Sequence, residues 1–153
     1  MNTSDFIAGS DLHRLSMLRD WFSSALGSQL LETEGSILDQ LLPGLFGYQL
    51  LQLSVVDHKL YESSTVGHRF HMGVNGDDNS PFIGNLTRLP FEDGSIDVVL
   101  LHHVLDICEV PQHVLREASR VSIAAGYLLI IGFNPFSIWG LWNAVKMWDR
   151  RSP

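Results

Sequence analysis

Cysteine is nearly absent: Cys108 alone occurs in 153 residues. One thiol cannot close an internal disulfide, so nothing in the chain asks for an oxidising compartment. Cys108 follows Leu105, Asp106 and Ile107 in an apolar run, where a thiol reads either as inert packing or as a lone nucleophile. Basic residues are scarce too, 10 Lys and Arg against 17 Asp and Glu, for a formal charge of −7. Nucleic acids and anionic membrane surfaces recruit proteins through clustered cations, and with no such cluster neither is an expected partner. No run of about 18 apolar residues is present to span a bilayer. Residues 1–5 lack the basic and apolar stretches of a secretion signal, which makes the cytoplasm the expected compartment. A G-x-G-x-x-G turn after a strand is also missing, and with it a nicotinamide-dependent dehydrogenase.

What is present suits a packed globular chain, with 45% apolar and 18% charged residues. Leu12, Leu15, Leu18, Trp21, Phe22 and Leu26 recur at helical spacing, with Ser10 placed to cap the start and Gly27 to close the end. A second helix is expected over residues 30–42, up to Pro43-Gly44, with Gly35 weakening it. Short apolar runs then read as strands over residues 48–53, 69–74 and 81–84. The β-branched run at 96–101 and the run at 127–133 read as strands buried on both faces. Pro111 opens a helix to about Val121, and Ala125-Gly126 reads as a turn. Strand, helix and strand with short links make the crossover unit of a parallel sheet.

In such sheets ligands sit beyond the carboxyl ends of the strands. That rule selects Ser54 to Asp57, Asn85-Leu86, His102-His103 and Asn134 to Phe136. The run Leu89-Pro90-Phe91-Glu92-Asp93-Gly94-Ser95-Ile96-Asp97, continuing through His102-His103-Val104-Leu105-Asp106, resembles the central signature of class I S-adenosylmethionine-dependent methyltransferases of type 11. Val114 to Val121, with Leu115-Arg116-Glu117 and Arg120-Val121, and then Gly126 to Ile130, extend the similarity over residues 85–140. The resemblance implies an α/β fold, a three-layer Rossmann-like sandwich with a mainly parallel central sheet behind N-terminal helices. It implies S-adenosylmethionine as cofactor, held at Ser54, Asn85, Leu86, Leu101 and His102. His103 and Asn134 would meet the methyl acceptor, a small molecule or a protein group. An N-terminal helical segment over 1–44 and a cofactor domain over 45–153 are expected, the latter stopping short of the family's C-terminal antiparallel hairpin.

Three departures bear on that expectation. The family's glycine-rich turn is replaced by Ser54-Val55-Val56-Asp57, whose valines cannot copy glycine geometry cheaply. The acid that holds the ribose is supplied, if at all, by Asp77 or Asp78. Asn85 stands where an Asp contacts adenine, keeping an acceptor oxygen without the charge. The expected function is therefore methyl transfer with altered cofactor binding; the alternative is a Rossmann-like interaction protein without chemistry.

No catalytic residue is fixed by the sequence, because methyl transfer depends chiefly on alignment of the acceptor. His102 or His103 reads as a general base, or else as one residue on the pocket rim and one in the core. His68 and His71 are three apart on a strand and point to opposite faces, so no metal is expected. His13 and His113 belong on helix surfaces. The apolar segment over 136–148 carries three tryptophans and is the expected surface for a homodimer.

Overall fold

The structure, a computed structural model, describes residues 9–74 and 85–133. The strand expected at 81–84, the candidate ribose acids Asp77 and Asp78, Asn134 and the Trp-rich segment lie outside these residues.

Two helices open the chain, α1 (Gly9–Phe22) and α2 (Ala25–Leu41). In α1, Leu15, Leu18 and Phe22 form the buried stripe. The sequence expectation of one helix running on to Gly27 is corrected here. Ser24 caps α2 by accepting the Gly27 N–H through its hydroxyl. Leu26, which extends the periodicity of α1 on paper, is 66% exposed. Gly27 serves close approach rather than closure, since a Cβ there would stand 2.1 Å from the Trp21 carbonyl oxygen. Gly35 does not interrupt α2, because its position is open and demands no special backbone. A short 3-10 turn at Leu42–Gly44 ends the helical segment.

Four strands follow: β1 (Gln49–Ser54), β2 (His68–Gly73), β3 (Ile96–His102) and β4 (Ser122–Ile131). Helix α3 (Pro111–Val121) joins the last two, at the expected bounds. All pairings are parallel, in the order β2-β1-β3-β4. The fold is α/β. Leu50, Leu51, Leu53 and Val98 to Leu101 are fully buried, as continuous apolar strands inside a sheet should be. Ala125-Gly126 is not a turn but lies within β4, where the register slips between Ile96 and Val98. A Cβ on Gly126 would come within 2.8 Å of the Asp97 carbonyl oxygen, so the glycine permits backbone contact at an irregularity. β4 is the edge of the described sheet, and its Tyr127, Leu128 and Ile130 are exposed rather than buried on both faces.

Register aligns the carboxyl ends in one row: Ser54 beside Gly73, Ser54 beside His102, and His102 beside Ile131. The chain leaves β1 for β2 on one side and reaches β3 on the other. The reversal therefore falls between Ser54 and His102, where a doubly wound sheet opens its crevice.

Candidate functional site

A buried cluster of charged and polar groups fills that crevice. Glu34 lies on the inner face of α2 between Leu31 and Leu38, a position where spacing alone would place a third leucine. Its carboxylate accepts from His102 Nε2 at 2.9 Å and from His103 Nε2 at 2.9 Å. On the far side of each ring, His102 Nδ1 meets Ser54 Oγ at 2.9 Å and His103 Nδ1 meets Asp106 Oδ2 at 2.7 Å. Ser54 Oγ also accepts the Val56 N–H, which leaves its own proton for His102. Asp106 accepts the Phe133 N–H and so ties the end of β4 to the loop after β3. Phe22 packs edge-on to His103, with ring centroids 5.0 Å apart.

Consecutive strand residues normally face opposite ways. His103 escapes this rule because its φ is +56°, a left-handed backbone costing an ordinary residue about 1–2 kcal/mol. The turn swings its ring back to within 4.6 Å of His102, centroid to centroid.

The hydrogen bonds assign the charges. Burial alone would raise the Glu34 carboxyl, but the bonds from His102 and His103 outweigh it and hold the group at about 2. Burial pushes His102 down, against the pull of Glu34. His103 is desolvated as well, yet Asp106 and Glu34 together raise it, and a carboxylate at each nitrogen places both to donate.

The expected site residues divide into two groups. Ser54, Leu101 and His102 are 0% exposed and His103 is 1% exposed; Ser54, His102 and His103 lie in the cluster beneath α2, while Leu101, one residue before His102 on β3, faces the other side of the sheet. Asn85 and Leu86 sit apart from them, on a cleft of about 200 Å³ shared with Val74, Thr87 and the loop after β3 from Ile107 to Val110. Asn85 Oδ1 is engaged by the Thr87 N–H at 2.8 Å and its hydroxyl at 2.7 Å. The expected acceptor for an adenine amino group is thus occupied, and the amide N–H groups are what Asn85 offers the cleft. Cys108 borders the same cleft and bonds the Val104 carbonyl through its thiol. A larger hollow of about 640 Å³ lies between the helices and the loop after β1, lined by Arg19, Phe22, Leu31, Gly35, Val56 and Asp57 among others. Sequence reasoning passed over Glu34 and Asp106. The available signal was a lone carboxylate on the apolar stripe of α2, since a buried acid needs a partner.

The signature run has a different role. Arg120 donates to Glu117 Oε1 at 2.7 Å, to the Phe91 and Leu89 carbonyls at 3.0 Å each, and to Asp93. Glu117 in turn accepts the Leu89 N–H at 2.8 Å. Gly94, at φ +60°, turns the chain into β3. Asp97 accepts the Tyr48 and Gln49 N–H groups, fixing the start of β1 against β3. These residues shape the amino end of the sheet, away from the crevice.

A parallel sheet with this order and a polar reversal point defines a Rossmann-like α/β domain. The profile of the family described as "Methyltransferase domain" matches residues 52–130, and the chain belongs to that family, the class I S-adenosylmethionine-dependent methyltransferases. It is similar to the uncharacterised protein YafS of Escherichia coli (strain K12), 37% identical over 110 residues, which cover 71% of this chain and 45% of that protein. Its fold is similar to a chain in the complex between the Haloferax volcanii Trm112 methyltransferase activator and a candidate methyltransferase. There the TM-score is 0.51 at 18% identity, covering 72% of this chain and 57% of that one. The chain spans about half the length of these relatives. Among the described residues no helix is long and apolar enough to cross a membrane.

The family's cofactor fits the residues present only in part. The cleft at Asn85 and Leu86 combines an apolar wall with amide donors, as an adenine requires. Beyond Ser54 the family's glycines are replaced by buried Val55 and Val56, so the hollow of about 640 Å³ beside the loop after β1 is walled by side chains where a methionyl chain would need bare backbone.

Proposed function

We propose that this chain is the cofactor-binding part of an S-adenosylmethionine-dependent methyltransferase whose adenosyl contacts outweigh its methionyl contacts. The acceptor is a small molecule or a protein group. The observation that carries the reading is the cleft beyond the strand ends, with Leu86 as its apolar wall and Asn85 presenting donors at its rim. When bound, the cofactor supplies a methyl group on a sulfonium, and transfer then depends on holding the acceptor in line. Leu86 excludes water from one face of the base, and Asn85 donates to a ring nitrogen. Ser54, Leu101 and His102 belong to the floor behind the site, and His103 and Asn134 to the acceptor side.

Calorimetric titration with S-adenosylmethionine, its demethylated product and adenosine tests this reading. Adenosine is expected to bind within about tenfold of the whole cofactor, a difference of about 1.4 kcal/mol. Asn85→Asp keeps an oxygen for Thr87 and adds one facing the cleft. The donation to the ring nitrogen is lost with the amide, a bond of about 1.5 kcal/mol, and all three ligands should weaken about tenfold. No heat from any ligand at millimolar concentration would overturn the proposal.

One observation favours a second reading. The hydrogen-bonded cluster of Ser54, His102, His103 and Glu34, buried at the end of β1 and β3, suits a protein that kept the fold for interaction alone, and failure of all three ligands would leave that reading standing.

A further inference from the structure

We propose that Glu34, His102 and His103 form a binding site for a divalent transition-metal cation of the zinc type. This inference is independent of the adenosyl cleft and needs no cofactor.

Its basis is convergence. One nitrogen of each imidazole and a Glu34 carboxylate oxygen lie within 4.8 Å of one another, each Nε2 stands 2.9 Å from that carboxylate, and all three residues are buried. Two imidazoles and one carboxylate suit zinc, cobalt or nickel better than the oxygen-seeking calcium and magnesium. Ligand atoms about 2.1 Å from a tetrahedral ion stand about 3.4 Å apart. Each 2.9 Å contact between Glu34 and a ring therefore opens by only about half an ångström to admit an ion.

The outer partners are those that orient metal-binding histidines. Such rings usually anchor their second nitrogen on an oxygen, often a carboxylate, which fixes the ring and leaves the other nitrogen's lone pair for the ion. Asp106 does this for His103 and Ser54 for His102. Binding displaces the Nε2 proton of each ring; on His102 the proton is carried at Nδ1 instead, with Ser54 turning from donor to acceptor. A buried salt link alone would not need two adjacent histidines to face one point. The left-handed backbone of His103 makes that happen at an energetic cost, and strained residues of this kind cluster at functional sites.

The ion also balances charge. Glu34 and Asp106 bring two negative charges into the crevice, and a divalent ion between neutral rings cancels both. The large hollow is lined by Leu31 and Gly35, which flank Glu34 on α2, and by Phe22, which packs against both rings. This is the expected route for entry and for an outer water ligand.

The test starts from chelator-treated wild-type protein titrated with zinc chloride by calorimetry, with cobalt(II) added separately and its visible absorption recorded. One ion per chain is expected, with micromolar affinity or better and an intense, low-symmetry cobalt band. Glu34→Gln, which can keep the network hydrogen-bonded but offers a poor ligand, should weaken zinc at least about 100-fold, and Asp106→Asn about 10- to 100-fold. Should either variant misfold, X-ray absorption on zinc-loaded wild type must find two imidazole ligands. His68→Gln, a change on an exposed face, should leave affinity unaltered. Absence of saturable binding at 100-fold excess, or binding that survives Glu34→Gln and falls with His68→Gln, overturns the proposal.

Discussion

Replacing Glu34 separates two kinds of loss that the crevice makes distinct. In Glu34→Leu the carboxylate goes, while the two Nε2–H donors stay in a place where the rings are 0% and 1% exposed. Each stranded buried donor costs about 1–3 kcal/mol, and removing one member of a buried charge pair costs about 3–5 kcal/mol in total. A loss of about 4 kcal/mol is therefore expected. Glu34→Gln has nearly the same shape and a way out. Its carbonyl accepts from His102, and its amide donates to His103 Nε2 once that ring gives up one proton and keeps the other on Asp106. The remaining cost is about 1 kcal/mol, the difference between a charged and a neutral bond. Urea melts followed by circular dichroism at pH 7, with chelator present in every sample, give both values. The reasoning fails if Leu and Gln lie within about 0.5 kcal/mol of each other, or if Leu stabilises the fold, since either result denies that the rings depend on the carboxylate.

Two further outcomes are expected. Gly27→Ala places a methyl 2.1 Å from the Trp21 carbonyl oxygen and 2.6 Å from the Phe22 Cα, both backbone atoms that cannot swing aside. It should cost about 3 kcal/mol in the same melts, and a loss under 1 kcal/mol would contradict the close approach of α1 and α2. Arg120 holds the Glu117 carboxyl below its ordinary value of 4.5, so the folded state gains from this group above that pH and loses the gain as pH falls through the lowered value. The difference in Tm between wild type and Glu117→Gln should accordingly be largest near neutrality and close in acid; a gap independent of pH would disprove the coupling.

The legible parts of the fold were those with local causes. Pro111 at the first turn and Val121 at the last fix α3 from within its own sequence, and the β-branched run of β3 needs no partner to be read. The break between α1 and α2 was hidden because Leu26 continues the helical spacing by coincidence, while Ser24 supplies the cap. Gly126 was read as a turn because close backbone approach and turning both select glycine. At the site, His102 and His103 were found from the rule about strand ends. Their partner was not, because Glu34 lies 68 positions before His102 and only the packing of α2 brings them together. The left-handed backbone of His103 leaves only a weak sequence mark, since histidine is enriched there with asparagine and aspartate yet adopts other conformations far more often.

The clamp of Arg120 and Glu117 on residues 89–93 stands at the opposite end of β3 from the crevice, a strand of seven residues away. The two ends of the sheet are thus separately adjustable parts. Side chains at Ser54, Glu34 and His103 can be exchanged without unfastening the loop that delivers β3, and the loop can keep its lettering while the opposite rim acquires new chemistry. Kinship read from the fastened end therefore certifies the frame, and the business conducted at the other end has to be established there.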